Sequence, residues 1–196
     1  MQEEHQEKIQ NNNSENTIQT IEGHIENEMI ITIEREQVDK NERIIGFPLV
    51  LSNELLVMSK IVDFHDEGFV VIRVQDITDA YSKEHDVFYE EICIKEGLKG
   101  KVDESPIKEA MDFASVLRQL LNYNKFISIQ CEFEDNELYY SIGRISSIEA
   151  DAVHFDNFDK MGVWEDDKRL IPLNKISLVG IGDYYSSIFH KYLASE

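Results

Sequence analysis

The chain has 196 residues, 42% of them hydrophobic, which is enough for one large domain or two small ones with a true core. Its 19 Lys and Arg face 39 Asp and Glu, a formal net charge of -20. That excess repels phosphate backbones and anionic lipid, which are held by cationic side chains, and it favours encounter with a basic partner.

Residues 1–20 are rich in Gln, Asn and Glu and lack aromatics, so they read as a disordered, acidic and polar tail. They contain no apolar run of the kind a secretory signal needs, and no window approaches the roughly 18 apolar residues of a membrane span. Cys93 and Cys131 have no Cys-x-x-Cys spacing, which points to buried free thiols in a reducing compartment. The expected location is the cytoplasm.

A first β unit is expected over residues 21–96. Met29–Ile33 is short and β-branched and suggests an edge strand. Two passages then run in parallel, one from Phe47 and one from Phe126. The strand Phe47–Leu51 matches Phe126–Cys131, Met58–Ile61 matches Ile142–Ile145, and Phe69–Ile72 matches Ala152–Phe155. Acidic turns separate them: Ser52–Glu54 and His65–Gly68 in the first passage, Glu134–Glu137 and Glu149–Asp151 in the second. Val74-Gln75-Asp76-Ile77-Thr78 then matches Leu173-Asn174-Lys175-Ile176-Ser177. Each is followed by an aromatic amphipathic segment, Tyr81–Tyr89 or Tyr184–Tyr192. The second passage carries an extra hairpin-like insertion between Asp156 and Lys168.

Residues 97–104, with Gly97 and Gly100, read as a linker. Residues 105–196 hold a helix plus the second unit. Ser105 is placed to cap that helix, with Pro106 in its first turn and an apolar stripe through Ile107, Met111, Ala114, Leu117, Leu120 and Leu121. The expected fold is mainly β (α+β): two small, strongly bent, barrel-like units joined by a linker and helix.

The order of a helix, then a bent five-stranded sheet ending in a polar-Ile-Thr or polar-Ile-Ser strand, resembles the Sm-like small β-barrel, here in tandem. The likeness is best from Ser105 to about Val179, because the first unit has no comparable leading helix by this reading. Sm-like proteins that bind RNA use an Asp/Asn-Gly turn and cationic loop residues. The turns here, Asp66-Glu67-Gly68 and Glu149-Ala150-Asp151, are acidic, so RNA binding is not carried over with the fold.

No nucleophile elbow, dinucleotide fingerprint or phosphate loop occurs, so neither an enzyme nor a cofactor is expected. His65-Asp66-Glu67 reads as a solvated turn, since adjacent residues diverge. His154 and Asp156 share one strand face near acids and are the weak candidates for a metal site or a metal-dependent enzyme, but they lack the calcium-loop pattern. For partner binding the candidates are Trp164, an apolar anchor among Asp159, Glu165, Asp166 and Asp167, together with Tyr184 and Tyr185. The function expected first is an acidic protein-binding module, such as an inhibitor, immunity-type or adaptor protein, that recognises a basic surface. Nucleic-acid binding comes second, because its only cationic cluster is Lys95, Lys99, Lys101 and Lys108, flanked by acids.

Overall fold

The computed structural model describes residues 15–99, 104–132 and 138–193. Residues 15–26 form helix α1, so 15–20 are not a disordered tail; the rest of that expectation, 1–14, lies outside the described residues. Ile18, Ile21 and Ile25 recur at helical spacing, and Ile21 is fully buried. Five strands follow: β1 (Ile31–Glu34), β2 (Arg43–Leu51), β3 (Leu55–Val62), β4 (His65–Arg73) and β5 (Asp79–Tyr81), then helix α2 (Glu84–Lys95). The second half repeats that order. Helix α3 (Phe113–Leu120) precedes β6 (Ile127–Glu132), β7 (Leu138–Ile148), β8 (Ala152–Asn157), β9 (Arg169–Pro172) and β10 (Ile176–Ile181), and helix α4 (Tyr184–Leu193) closes it.

All ten strands form one antiparallel sheet in the order β5-β1-β2-β3-β4-β10-β6-β7-β8-β9. The sheet is open, which corrects the barrel-like expectation. Strand β4 pairs with β10 of the other half, not with its own β5, so neither half closes on itself. Strand β1 lies between β2 and β5 and is not an edge.

Two ladders of the first half have counterparts in the second, β1–β2 in β6–β7 and β2–β3 in β7–β8, whereas the register shifts in β3–β4 and β6–β10 are not repeated. Ile31 faces Gly46 as Ile127 faces Gly143, and Gly46 faces Lys60 as Gly143 faces Asn157. A register shift follows Pro48 in one half and Ile145 in the other. The sequence match therefore needs moving by one strand: Phe47–Leu51 lies in the second strand of its half, whereas Phe126 precedes the first strand of the other. Val74–Asp76 and Leu173–Lys175, expected at the start of a strand, are both 3-10 turns; the strand after the first begins only at Asp79, whereas that after the second begins at Ile176. The expected turn at Glu134–Glu137 lies outside the described residues.

Two further local expectations change. The β3–β4 reversal is made by Asp63 and Phe64, at φ 48° and 62°, so His65–Gly68 begins a strand. Left-handed backbone at both positions matches the twist of a two-residue hairpin, and Phe64 stacks on Tyr89 at 4.4 Å. Helix α3 starts at Phe113, capped by the Asp112 carboxylate on the Ser115 N–H. Ser105 is spent on a local turn, its hydroxyl accepting from the Ile107 N–H, while Met111 and Leu121 face solvent.

The apolar face of the sheet changes side at the junction. Val71 and Val179 are register partners in the core beneath α3, with Val116, Leu117 and Phe155. Their neighbours Ile72 and Leu178 are partners in the opposite core, beneath Ile21 of α1. Strands β3 and β4 are thus buried on both faces, which is why Leu55–Met58 and Val70–Ile72 are unbroken apolar runs. Two arginines of the first half bind backbone of the second: Arg35 reaches the Ser177 carbonyl, and Arg73 reaches those of Leu173 and Ile176. Cys93 and Cys131 are free and buried, and burial pushes the Cys131 thiol up to about 11.

Candidate functional site

The inserted loop does not present Trp164 as an exposed anchor. Asp159 accepts the N–H groups of Met161 and Val163, which closes the loop, and Trp164 bridges back to Phe158. Its half-buried ring meets Phe126 and Phe158 edge-on at 5.5 and 5.3 Å, with the Arg144 guanidinium 4.9 Å above it. The apolar residues this loop exposes are Met161 and Val163. Glu165 pairs with Arg169, while Asp166 and Asp167 are exposed.

His154 and Asp156 share β8 but serve different partners. The His154 imidazole lies 2.7 Å from Glu149, and Asp156 meets Arg144 and Lys168. Among the described residues no three His, Cys, Asp or Glu side chains come together as metal ligands. The lysine cluster is likewise engaged: Lys95 pairs with Glu91 and Lys99 with Glu28, and Lys101 lies outside the described residues.

Tyr184 and Tyr185 are different, being 68% and 53% exposed at the start of α4. Gly182, at φ 74°, turns the chain out of β10, and Asp183 then caps the helix through the Ser186 N–H at 2.8 Å. Below this corner lies a cavity of about 280 Å³, lined by Glu67 of β4, Lys60 of β3, Tyr140 of β7, Asp183 and Tyr185. The Tyr184 N–H donates to Glu67 at 3.3 Å and so ties the helix start to the other half. Burial raises the Tyr140 phenol above its ordinary value, and the charges of Asp183 and Glu67 add to the effect, opposed by a bond to Ser128. Gly180 keeps the floor low, since a Cβ there would stand 2.3 Å from the Ser128 hydroxyl.

Under one wall sits Arg35, fully buried, with its guanidinium on Glu42, on the Gln130 side-chain oxygen at 3.0 Å and on the Ser177 carbonyl at 3.2 Å. Glu42 also lines the cavity, but its charge is met by Arg35. Because β4 and β10 both contribute, the cavity exists only where the two halves join. A larger cavity, about 470 Å³, opens near Arg73 and Phe113, but there the guanidinium is committed to backbone carbonyls and to the Phe113 ring. Of the residues lining this cavity, the sequence singled out Tyr185, with Tyr184 beside it, and offered Glu67 only as part of a solvated turn; Tyr140 and Asp183 were not singled out.

No helix among the described residues is long and apolar enough to cross a membrane. Compared with protein-family models, curated proteins and solved structures, the chain gives no significant match.

Proposed function

We propose that this chain is a binding module for a basic protein, of the inhibitor, immunity or adaptor kind, and that it acts without catalysis. The observation that carries the reading is the set of exposed tyrosines, Tyr140, Tyr184 and Tyr185, bordered by Glu67 and Asp183 on a chain of net charge -20. Tyrosine supplies a large amphipathic contact at low entropic cost, and surrounding carboxylates steer a cationic partner and set its orientation.

The scaffold is two copies of one five-stranded unit, each with a leading and a closing helix, of the Sm-like kind. Matching registers in the first two ladders of each half, one matching register shift and the shared fifth–first–second–third–fourth strand order support that reading. Helix α1 supplies the leading helix that the first copy lacked in the sequence reading. Joined tail to head through β4 and β10, the copies build a cavity that one copy alone lacks.

The test is titration of the protein with arginine-rich and lysine-rich peptides, followed by fluorescence anisotropy. Salt is raised from about 10 mM, where charges act over about 30 Å, to about 150 mM, where they act over about 8 Å. The reading requires binding at low salt that weakens steeply as salt rises. Peptides that fail to bind at low salt, or bind independently of salt, overturn it.

A further inference from the structure

We infer that the cavity at the junction seats one arginine side chain of the basic partner, an assignment that rests on the binding-module reading above. Three acids and one base line it: Glu42, Glu67 and Asp183 against Lys60. Glu42 is neutralised by Arg35, whereas Glu67 and Asp183 make no ion pair among the described residues. Two carboxylates therefore face one ammonium, and a single incoming cation balances the site.

The cavity walls choose the kind of cation. Tyr140 and Tyr185 border the cavity and are 55% and 53% exposed, the Tyr185 ring resting against Phe189 at 5.0 Å, so both offer aromatic surface to an incoming flat group. A guanidinium stacks on aromatic faces and forms paired hydrogen bonds with a carboxylate, and it is more weakly hydrated than an ammonium. Lysine, a strongly hydrated point charge, uses neither the planar walls nor the paired geometry as well. The volume of about 280 Å³ admits one such side chain. Glu67 and Asp183 are hydrogen-bonded by Tyr184 and Ser186 but carry uncompensated charge, so they repel an acidic ligand and gain no charge balance from a neutral one.

The experiment compares peptides of identical length and charge, one built on arginine and one on lysine, against the full chain and four variants. In Tyr140→Ala and Tyr185→Ala, truncation removes half-exposed rings and leaves the core intact; thermal melting confirms folding. The arginine peptide should bind the unaltered protein several-fold more tightly than the lysine peptide, with a loss on the order of tenfold in either alanine variant. Tyr185→Phe should bind like the unaltered protein, because the ring face remains. Lys60→Met should bind more tightly, having lost the competing charge. Equal binding of both peptides to the unaltered protein and both alanine variants would end the arginine-pocket assignment and leave the binding-module reading standing. No peptide binding at low salt would remove both.

Discussion

Replacing Arg35 by alanine tests how firmly the two halves are joined. Arg35 follows β1 in the first half, yet its fully buried guanidinium bonds Gln130 and Ser177 of the second, besides Glu42. Removing one member of a buried ion pair typically costs about 3–5 kcal/mol, because the remaining charge and the abandoned acceptors stay buried without partners. Glu42 keeps 23% exposure, so water can reach it, and the expected loss is near the lower limit, about 3 kcal/mol. For a chain of this size that corresponds to roughly 6–12 °C in melting temperature. Trp164, the single tryptophan, sits in the second half and gives a local signal for urea denaturation alongside circular dichroism. Both signals should shift together in Arg35→Ala, and Arg35→Met with Glu42→Leu should recover most of the loss. A tryptophan transition that stays in place while the circular dichroism shifts would show that the halves melt separately and refute the reasoning.

Two further outcomes are expected. Gly46→Ala and Gly143→Ala should each destabilise by about 3 kcal/mol or more in urea, because a Cβ at either position would lie 1.9 Å from a backbone oxygen of the paired strand; a large loss at only one of the two would weaken the case for equivalent positions. Burial, with Glu132 adding to it, holds the Asp76 carboxyl above its ordinary 3.8, so the folded state grips that proton harder than the unfolded one. The resulting stability is present in acid and is lost as pH rises through the raised titration, so Asp76→Asn should stabilise at pH 7, with the gain fading as pH falls towards 3.8. Destabilisation of that variant at pH 7 would instead identify a charged carboxylate paired with the nearby arginines.

Short-range patterns made much of the fold legible. Strand positions were marked by β-branched and apolar runs, but the 3-10 turns at Val74–Asp76 and Leu173–Lys175 read as strand. What failed was information that only pairing supplies. The runs Leu55–Met58 and Val70–Ile72 look like ordinary buried strands, and nothing local says that their two faces serve different cores. Placing Phe47–Leu51 opposite Phe126–Cys131 rested on the alternation of apolar residues, which any strand of the sheet can share, whereas the register aligns Gly46 with Gly143, where the close approach of the neighbouring strand excludes a side chain. Helix α1 was hidden because Gly23 and a polar surround diluted the signal of Ile18, Ile21 and Ile25. At the proposed site, Tyr184 and Tyr185 stood out through the aromatic amphipathic segment Tyr184–Tyr192. Glu67 and Asp183 lie 116 positions apart in the chain and meet only because β4 pairs with β10.

Strands β4 and β10 form an intimate join inside one sheet, and the Tyr140–Tyr185 cavity is built on it. Amide hydrogen exchange of the full chain, resolved by residue, tests that join directly. Amides between Val70–Ile72 and Leu178–Gly180 should exchange as slowly as those of the ladders within each half, through one global opening. Exchange across this pair that is far faster than in the β2–β3 and β6–β7 ladders would mean two units merely touching, and would contradict the account.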